Sequence, residues 1–304
     1  MRIVFAGTPE FAVPSLRALV ADGHEVVGVI TREDAPLGRK RILTPSPVAV
    51  EAEELGIPVL KANRLGAEAN DWVAPLQPDL GVIVAYGGLV RDPLLSAPAL
   101  GWINLHFSEL PRWRGAAPVQ RALQAGEQLL GVTVFRLVEE LDAGAVLARD
   151  AREFPPGTSA GEALTELASF GVGALLRSIR LLAEDPKAGE PQTGEASYAH
   201  KLSREDGALD LGAPASTVLA HWAGVTPEPG AFVRFDGDAL KLHELVPIET
   251  TGASTPGAVH LVNGRAVLTL IGGACELVRV QPAGKPPMSG ADWLRGRGGE
   301  AVLR

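Results

Sequence analysis

The fold is decided by a short apolar run in the first third of the chain, Leu80-Gly81-Val82-Ile83-Val84-Ala85. Its hydrophobic residues are consecutive rather than alternating, which is typical of a β-strand that is covered on both faces. Such strands occur mainly in parallel sheets with helices packed on either side. We therefore predict that residues 79–86 form an inner strand of a parallel sheet.

Strand and helix patterns alternate on both sides of this run. Further strands are predicted at residues 2–6, 24–31, 102–106 and 131–138. Helices are predicted from Thr8 and Pro9 to Gly23, from Ser46 to Gly56, over residues 116–125, and from a Thr158 cap to about residue 184. This alternation predicts an α/β fold with a doubly wound, mostly parallel, Rossmann-like sheet.

The pattern changes near Asp185, where glycine and proline become frequent. A helix fits residues 213–222, and short apolar runs follow at 231–235, 239–246, 258–262, 266–271 and 276–282. Turn residues separate these runs, which indicates a smaller, OB-like C-terminal antiparallel β-barrel. We therefore predict a catalytic domain at 1–188, a linker at 189–208 and a barrel domain at 209–304.

Composition limits the classes of protein and site. The 304 residues include one cysteine, Cys275, so an internal disulfide framework and a multi-cysteine zinc site are excluded. We expect Cys275 to be a small buried residue and the protein to be cytoplasmic. Apolar runs of about 18 residues are missing, so no membrane partner is expected. The histidines lack metal-ligand spacing, and no metal is expected.

The formal net charge of −8 argues against a surface that coats nucleic acid generally. Two local basic segments remain. One is Arg39-Lys40-Arg41 in a proline-bounded loop, and the other is the C-terminal stretch with Lys285, Arg295, Arg297 and Arg304. On the residues alone, a solvated surface is the simpler interpretation of both segments.

A candidate reactive pair stands at the end of the strand predicted at 102–106. Asn104 and His106 are two residues apart, so their side chains project from the same face of that strand. The pair places a hydrogen-bond donor beside a titratable group, which suits polarisation of a carbonyl and transfer of a proton. Sites in open parallel sheets lie beyond the carboxyl ends of the strands, where this pair is predicted.

A carboxylate completes the candidate site. Asp142 lies in the turn Leu141-Asp142-Ala143-Gly144, after the strand predicted at 131–138, and is expected within hydrogen-bonding range of His106. Plainer interpretations remain open. Asp142 could be a turn residue that hydrogen-bonds only to its own backbone, and Asn104 and His106 could be structural polar residues.

Two nucleotide-binding classes are disfavoured. Gly7 is followed by Thr8-Pro9-Glu10-Phe11, where a dinucleotide-binding strand would continue with further glycines. A Walker-type phosphate loop is also missing from the sequence.

A set of short motifs, spread in order over nearly the whole chain, strongly resembles methionyl-tRNA formyltransferases. The motifs are Phe5-Ala6-Gly7-Thr8-Pro9-Glu10-Phe11, Val84-Ala85-Tyr86-Gly87, Ile103-Asn104-Leu105-His106, Leu110-Pro111-Arg112-Trp113-Arg114-Gly115-Ala116-Ala117-Pro118, Gly131-Val132-Thr133, Leu141-Asp142-Ala143-Gly144, Lys201-Leu202-Ser203 and Gln281-Pro282-Ala283-Gly284-Lys285. The Asn-x-His and Asp trio is shared by a wider group that uses 10-formyltetrahydrofolate, including glycinamide ribonucleotide formyltransferases. The arginine-tryptophan turn, the basic loop and the C-terminal barrel favour the tRNA enzymes.

The resemblance implies transfer of a formyl group from 10-formyltetrahydrofolate, a cosubstrate, to the α-amine of methionyl-initiator tRNA for translation initiation, by a monomer without a metal. It implies catalytic roles for Asn104, His106 and Asp142. It places Tyr86, Gly87, Ser108, Glu109, Leu110 and Pro111 at the folate, and Arg39, Lys40 and Arg41 at the tRNA. One departure is Glu109, because an apolar residue is common there in the family.

Two other functions stay open on the sequence. One is formyl transfer to a small amine, or hydrolysis of the same folate, against which the barrel and basic loop count. The other is a non-catalytic RNA-binding module with a relic folate pocket. The presence of Asn104, His106 and Asp142 counts against the relic.

Overall fold

The computed structural model describes residues 1–38, 40–248 and 255–304 and contains two compact units. The first unit comprises Met1–Ala116, Leu130–Arg152 and Leu164–Ala199, and the second comprises Ala117–Leu129, Glu153–Ala163 and His200–Arg304. The domain boundaries expected near residues 188 and 209 stay a prediction.

The strands of the first unit form one main sheet, a basic hairpin and a short pair. The main sheet contains β1 (Arg2–Gly7), β2 (Glu25–Thr31), β5 (Val59–Lys61), β6 (Leu80–Val84), β7 (Trp102–His106), β9 (Leu129–Arg136) and β10 (Val146–Glu153). The hairpin is β3 (Ala35–Leu37) with β4 (Ile42–Thr44), and the pair is β8 (Arg114–Gly115) with β11 (Tyr198–Ala199).

The main sheet has the strand order β10-β9-β7-β6-β1-β2-β5. The pairs β1–β2, β1–β6, β6–β7 and β2–β5 are parallel, whereas β7 and β9 are antiparallel. All five residues of β6 are buried, which is why its sequence is continuously apolar. The predicted mostly parallel, Rossmann-like sheet is confirmed.

The helices are α1 (Val13–Ala21), α2 (Pro47–Glu54), α3 (Ala67–Val73), α4 (Pro118–Gln124), α5 (Ala160–Glu184), α6 (Ala215–Val225) and α7 (Gly290–Arg295). Ser46 caps α2 as expected, since its hydroxyl accepts the Ala49 N–H at 3.0 Å. The Thr158 cap expected for the long helix is wrong. Ser159 and Glu162 form a reciprocal capping pair there, with hydrogen bonds of 2.8 and 3.3 Å.

The second unit contains a curled antiparallel sheet. Its strands are β12 (Phe232–Phe235), β13 (Asp238–Ile248), β14 (Ala258–Val262), β15 (Arg265–Leu270), β16 (Gly273–Pro282), β17 (Met288–Ser289) and β18 (Glu300–Val302). They follow the order β12-β13-β16-β15-β14-β18, and β17 pairs with β16. Arg234 and Arg304 exchange two backbone hydrogen bonds, of 2.6 and 2.9 Å, which link β12 to the segment after β18. The predicted smaller antiparallel domain is confirmed.

Cys275 lies fully buried on β16. Burial raises the pKa of its thiol to about 12. The thiol is therefore neutral and shielded at physiological pH.

Two features are absent from the described ranges, 1–38, 40–248 and 255–304. None of their helices is long and apolar enough to cross a membrane. Within the same ranges, no group of three or more histidine, cysteine, aspartate or glutamate side chains is arranged to hold a metal ion.

Candidate active site

Asn104 lies near the end of β7, in the middle of the main sheet. Its backbone is in register with Ile83 on β6 and Phe135 on β9. The side chain is half-buried, and among the described residues it makes no hydrogen bond. Its amide group therefore lies on a rigid strand and is available to bind a ligand.

His106 is two residues further along β7 and only 6% exposed. Its Nε2 lies 2.9 Å from the backbone oxygen of Trp113. Because a carbonyl oxygen only accepts, Nε2 carries the proton and donates. The imidazole also packs edge-on against the Phe135 ring, with ring centroids 6.3 Å apart. These two contacts fix both the tautomer and the orientation of the ring.

Asp142 is buried in a turn, with a left-handed φ of 49°. Its Oδ2 accepts the Gly115 N–H at 2.7 Å and lies 4.0 Å from Nδ1 of His106. The structure thus brings Asp142 and His106 together, but the hydrogen bond expected between them is not formed. Two acceptors 4.0 Å apart can each receive a hydrogen bond of about 2.8 Å from one donor placed between them.

The turn that follows His106 is held by Thr133 on β9. The Thr133 hydroxyl donates to the Ser108 carbonyl at 2.7 Å and accepts the Leu110 N–H at 3.1 Å. Ser108 donates its own hydroxyl to the Arg112 carbonyl at 2.7 Å. Ser108, Leu110 and Pro111, all expected at the folate, are buried in this turn.

Glu109 is half-buried and lies against Gly131 on β9. A Cβ at position 131 would collide with the Glu109 Cγ and approach its carboxyl carbon. The glycine therefore makes room for the methylene groups of a side chain that departs from the family pattern.

Tyr86 and Gly87 follow β6 and form a turn that hydrogen bonds from Arg32 stabilise. The Arg32 guanidinium donates to the carbonyls of Tyr86, Gly87 and Asn63, and it lies 5.4 Å from the centre of the Tyr86 ring. The Tyr86 hydroxyl donates to the Ala62 carbonyl at 2.5 Å. Burial raises the pKa of this phenol above its ordinary value of 10.0.

Lys40 and Arg41 of the basic segment lie at the tip of the β3–β4 hairpin. Lys40 and Arg41 are exposed there, and Arg39 lies outside the described residues. At the base of the hairpin, the hydroxyls of Thr31 and Ser46 lie 2.6 Å apart and are buried. The tip is thus charged and exposed while its base is fixed to β2 and α2.

Comparison with known proteins identifies the family. Residues 1–179 match the family described as "Formyl transferase", and residues 201–298 match "Formyl transferase, C-terminal domain". A methionyl-tRNA formyltransferase of Leifsonia xyli subsp. xyli (strain CTCB07) is 56% identical over 304 residues, which is 100% of both chains. This chain belongs to the methionyl-tRNA formyltransferases.

Solved structures agree with this fold. The chain resembles a methionyl-tRNA formyltransferase from Clostridium thermocellum with a TM-score of 0.59 and 11% identity, over 95% of this chain and 100% of that one. It resembles HypX from Aquifex aeolicus in complex with tetrahydrofolic acid with a TM-score of 0.67 and 20% identity, over 97% of this chain and 47% of that one. As a formyltransferase, this chain uses a folate cosubstrate.

Several polar residues around the site of this formyltransferase were not predicted. Thr133 and Arg32 hold the two turns expected at the folate, and Gln192 contacts the Asp142 turn. Thr133 lies in the Gly-Val-Thr motif, so the resemblance singled it out without a role. Arg32 and Gln192 carried no signal, because their hydrogen-bond partners lie 31 to 78 residues away in sequence.

Proposed function

We propose that this chain transfers the formyl group of 10-formyltetrahydrofolate to the α-amine of methionyl-initiator tRNA, which gives formylmethionyl-tRNA for translation initiation in the cytoplasm. The proposal rests on Asn104 and His106, which are two residues apart on β7, and on Asp142, whose Oδ2 lies 4.0 Å from Nδ1 of His106. Full-length identity of 56% to a methionyl-tRNA formyltransferase supports the choice of acceptor.

Asn104 is proposed to hold the formyl oxygen. As the amine attacks, the formyl carbon becomes tetrahedral and its oxygen gains negative charge. The side-chain amide of Asn104, which makes no hydrogen bond to another described residue, is held on β7 and offers an N–H group to this oxygen. A donor that is already in place stabilises the developing charge without reorganisation.

We propose that His106 donates a hydrogen bond to the formyl oxygen and that Asp142 accepts the proton of the attacking amine. The Nε2–H of His106 is bonded to Trp113, so His106 donates to the formyl oxygen through Nδ1, which requires the imidazolium. The Asp142 carboxylate lies 4.0 Å from Nδ1, beside the positive charge of the imidazolium. Asp142 accepts the amine proton, directly or through a water, and passes it to the folate N10 as the bond between the formyl carbon and N10 breaks, so that tetrahydrofolate leaves and Asp142 is a carboxylate again. Protons balance, since the amine loses one and N10 gains one.

The substrates are proposed to enter from two sides. The Tyr86–Gly87 turn and the turn from Ser108 to Pro111 line the folate. Burial of Leu110 and the internal hydrogen bonds of Ser108 favour contact through main-chain groups of these turns. The exposed tip with Lys40 and Arg41, and with Arg39 beside them, contacts the acceptor end of the tRNA.

An acceptor panel tests this function. Purified enzyme and 10-formyltetrahydrofolate would be offered methionyl-initiator tRNA, uncharged initiator tRNA, glycinamide ribonucleotide or a 3-amino sugar nucleotide. We expect formylation of the charged tRNA alone. Formylation of a small amine, or release of formate with every acceptor, would contradict the proposed acceptor and keep the folate chemistry. Folate binding without any transfer would favour a non-catalytic RNA-binding module with a relic folate pocket.

A further inference from the structure

The segment from Glu190 to Ala199, here called the strap, runs beside both catalytic turns. Glu190 and Val146 exchange two backbone hydrogen bonds, of 2.7 and 2.9 Å, and β11 pairs in parallel with β8. Between these two anchors, Gln192 is half-buried and reaches the Asp142 turn. We propose that Gln192 is a positioning residue that holds the Asp142 carboxylate in its reactive place. This inference rests on the proposed formyl transfer.

The carboxamide of Gln192 makes hydrogen bonds with all of its donor and acceptor groups. Its Nε2 donates to the carbonyls of Asp142 at 2.8 Å and Gly144 at 3.0 Å. Its Oε1 accepts from Arg114, with distances of 2.8 Å to Nη2 and 3.3 Å to Nε. An amide group has two donors and two acceptor sites, so all are engaged. Because the Arg114 guanidinium only donates, the Oε1 atom of Gln192 must face it, and this fixes the orientation of the Gln192 amide.

The Asp142 turn needs such support. Asp142 has a φ of 49°, in the left-handed region that L residues adopt at an energetic cost. The turn is also closely packed, since a Cβ at Gly144 would collide with the Arg136 carbonyl. Gln192 bonds the carbonyls on either side of Ala143 and so holds the turn at two points.

Arg114 links this support to the catalytic carboxylate. Its guanidinium is buried and also bonds Glu140 at 3.1 Å. The next residue, Gly115, donates its N–H to Asp142 Oδ2 at 2.7 Å. The same two-residue strand, β8, therefore orients both the backbone of Asp142, through Gln192, and its side chain. Loss of the Gln192 amide would leave the carboxylate held from one side only.

The first test replaces Gln192. We expect Gln192→Ala to lower kcat roughly 10²-fold, because a displacement of about 1 Å has that effect on catalysis. The KM values for both substrates should stay within about twofold, since Gln192 bonds the Asp142 turn and not the proposed folate turns. Thr193→Ala is the matched control, because this neighbour on the strap is exposed and makes no hydrogen bond among the described residues.

A double-mutant cycle separates positioning from general support of the fold. If Gln192 acts through Asp142, its replacement should change single-turnover rates less than about twofold in an Asp142→Asn background. Equal losses in the wild-type and Asp142→Asn backgrounds would overturn the proposal. So would a wild-type kcat in Gln192→Ala.

A second variant covers the case in which Gln192→Ala does not fold. Gln192→Glu keeps the acceptor for Arg114 and loses both donors to the Asp142 turn, so we expect a similar loss of kcat in a variant whose circular dichroism spectrum shows that it is folded. Wild-type kcat in this variant would contradict the positioning role. A wild-type enzyme without transfer to methionyl-initiator tRNA would instead contradict the proposed function, so the two failures are distinguishable.

Discussion

Nδ1 of His106 and Oδ2 of Asp142 lie 4.0 Å apart, and each side chain is held by a different backbone group of one short segment. His106 donates to the Trp113 carbonyl, and Asp142 accepts the Gly115 N–H. The gap between the two side chains is therefore set by the segment from Trp113 to Gly115. It is wide enough for one water or amine group to hydrogen-bond both side chains.

Asp142→Asn should keep the fold and lose most activity. The amide oxygen of asparagine still accepts the Gly115 N–H, so the turn is preserved. The variant loses the negative charge and the base for the amine proton, and we expect kcat to fall by about 10²–10⁴. Transfer rates measured beside circular dichroism spectra check this prediction. Near-normal turnover would remove Asp142 from the mechanism.

Asn104→Ala should slow transfer by about 10²–10³, the usual effect of losing one donor to a developing oxyanion. The side chain makes no hydrogen bond among the described residues, so the loss should arise from catalysis and not from a broken internal contact. Kinetics in both substrates, together with the midpoint of thermal unfolding, separate the two causes. A variant with unchanged kcat would show that another group holds the formyl oxygen.

The sequence predicted the parts of the fold whose hydrophobic residues form a clear pattern, either a continuous run or a regular spacing. The buried run at residues 79–86 and the Asn104–His106 strand are examples, and both strands lie inside the sheet. The strands β5 and β10 were not predicted. Each lies at an edge of the sheet, and their short or mixed sequences lack a continuous apolar run.

The same contrast holds for the active site. Residue types and spacing identified Asn104, His106 and Asp142 as candidates. The 4.0 Å separation and the role of the strap depend on contacts between segments far apart in sequence, such as Gln192 with Asp142 and Trp113 with Ser197. A single sequence contains no signal for such contacts.

Neutralising Arg39, Lys40 and Arg41 together should weaken binding of methionyl-initiator tRNA and flatten its dependence on salt. Each lost phosphate contact should reduce the slope of log K against log salt by about 0.7–0.9. Binding titrations at several salt concentrations measure this slope.

Arg180→Gln is the control, because Arg180 is an exposed arginine whose 3.2 Å ion pair with Asp22 lies away from the hairpin in sequence. An unchanged slope in the triple variant would refute the contact between this hairpin tip and the tRNA.

Cys275 should be inert to thiol reagents in the native protein and reactive once it unfolds. Burial raises the pKa of its thiol from 9.0 to about 12. Between these values the unfolded chain loses a proton that the native state keeps, so stability should fall as pH rises from 9.0 toward about 12.

Thiol titration at pH 8 with and without denaturant tests the shielding of Cys275, and unfolding curves above pH 9 test the linkage. Because the chain has one cysteine, every labelled thiol reports this site. Fast labelling of the folded protein would contradict the buried position on β16.

The most direct test of the proposed formyl transfer is a single-turnover reaction with 10-formyltetrahydrofolate labelled in its formyl group, excess enzyme and methionyl-initiator tRNA. After hydrolysis of the ester, we expect all transferred label to be recovered as N-formylmethionine, at a rate lowered in Asp142→Asn and Asn104→Ala. Label recovered as free formate, on a small amine added in competition, or on the protein itself would contradict it.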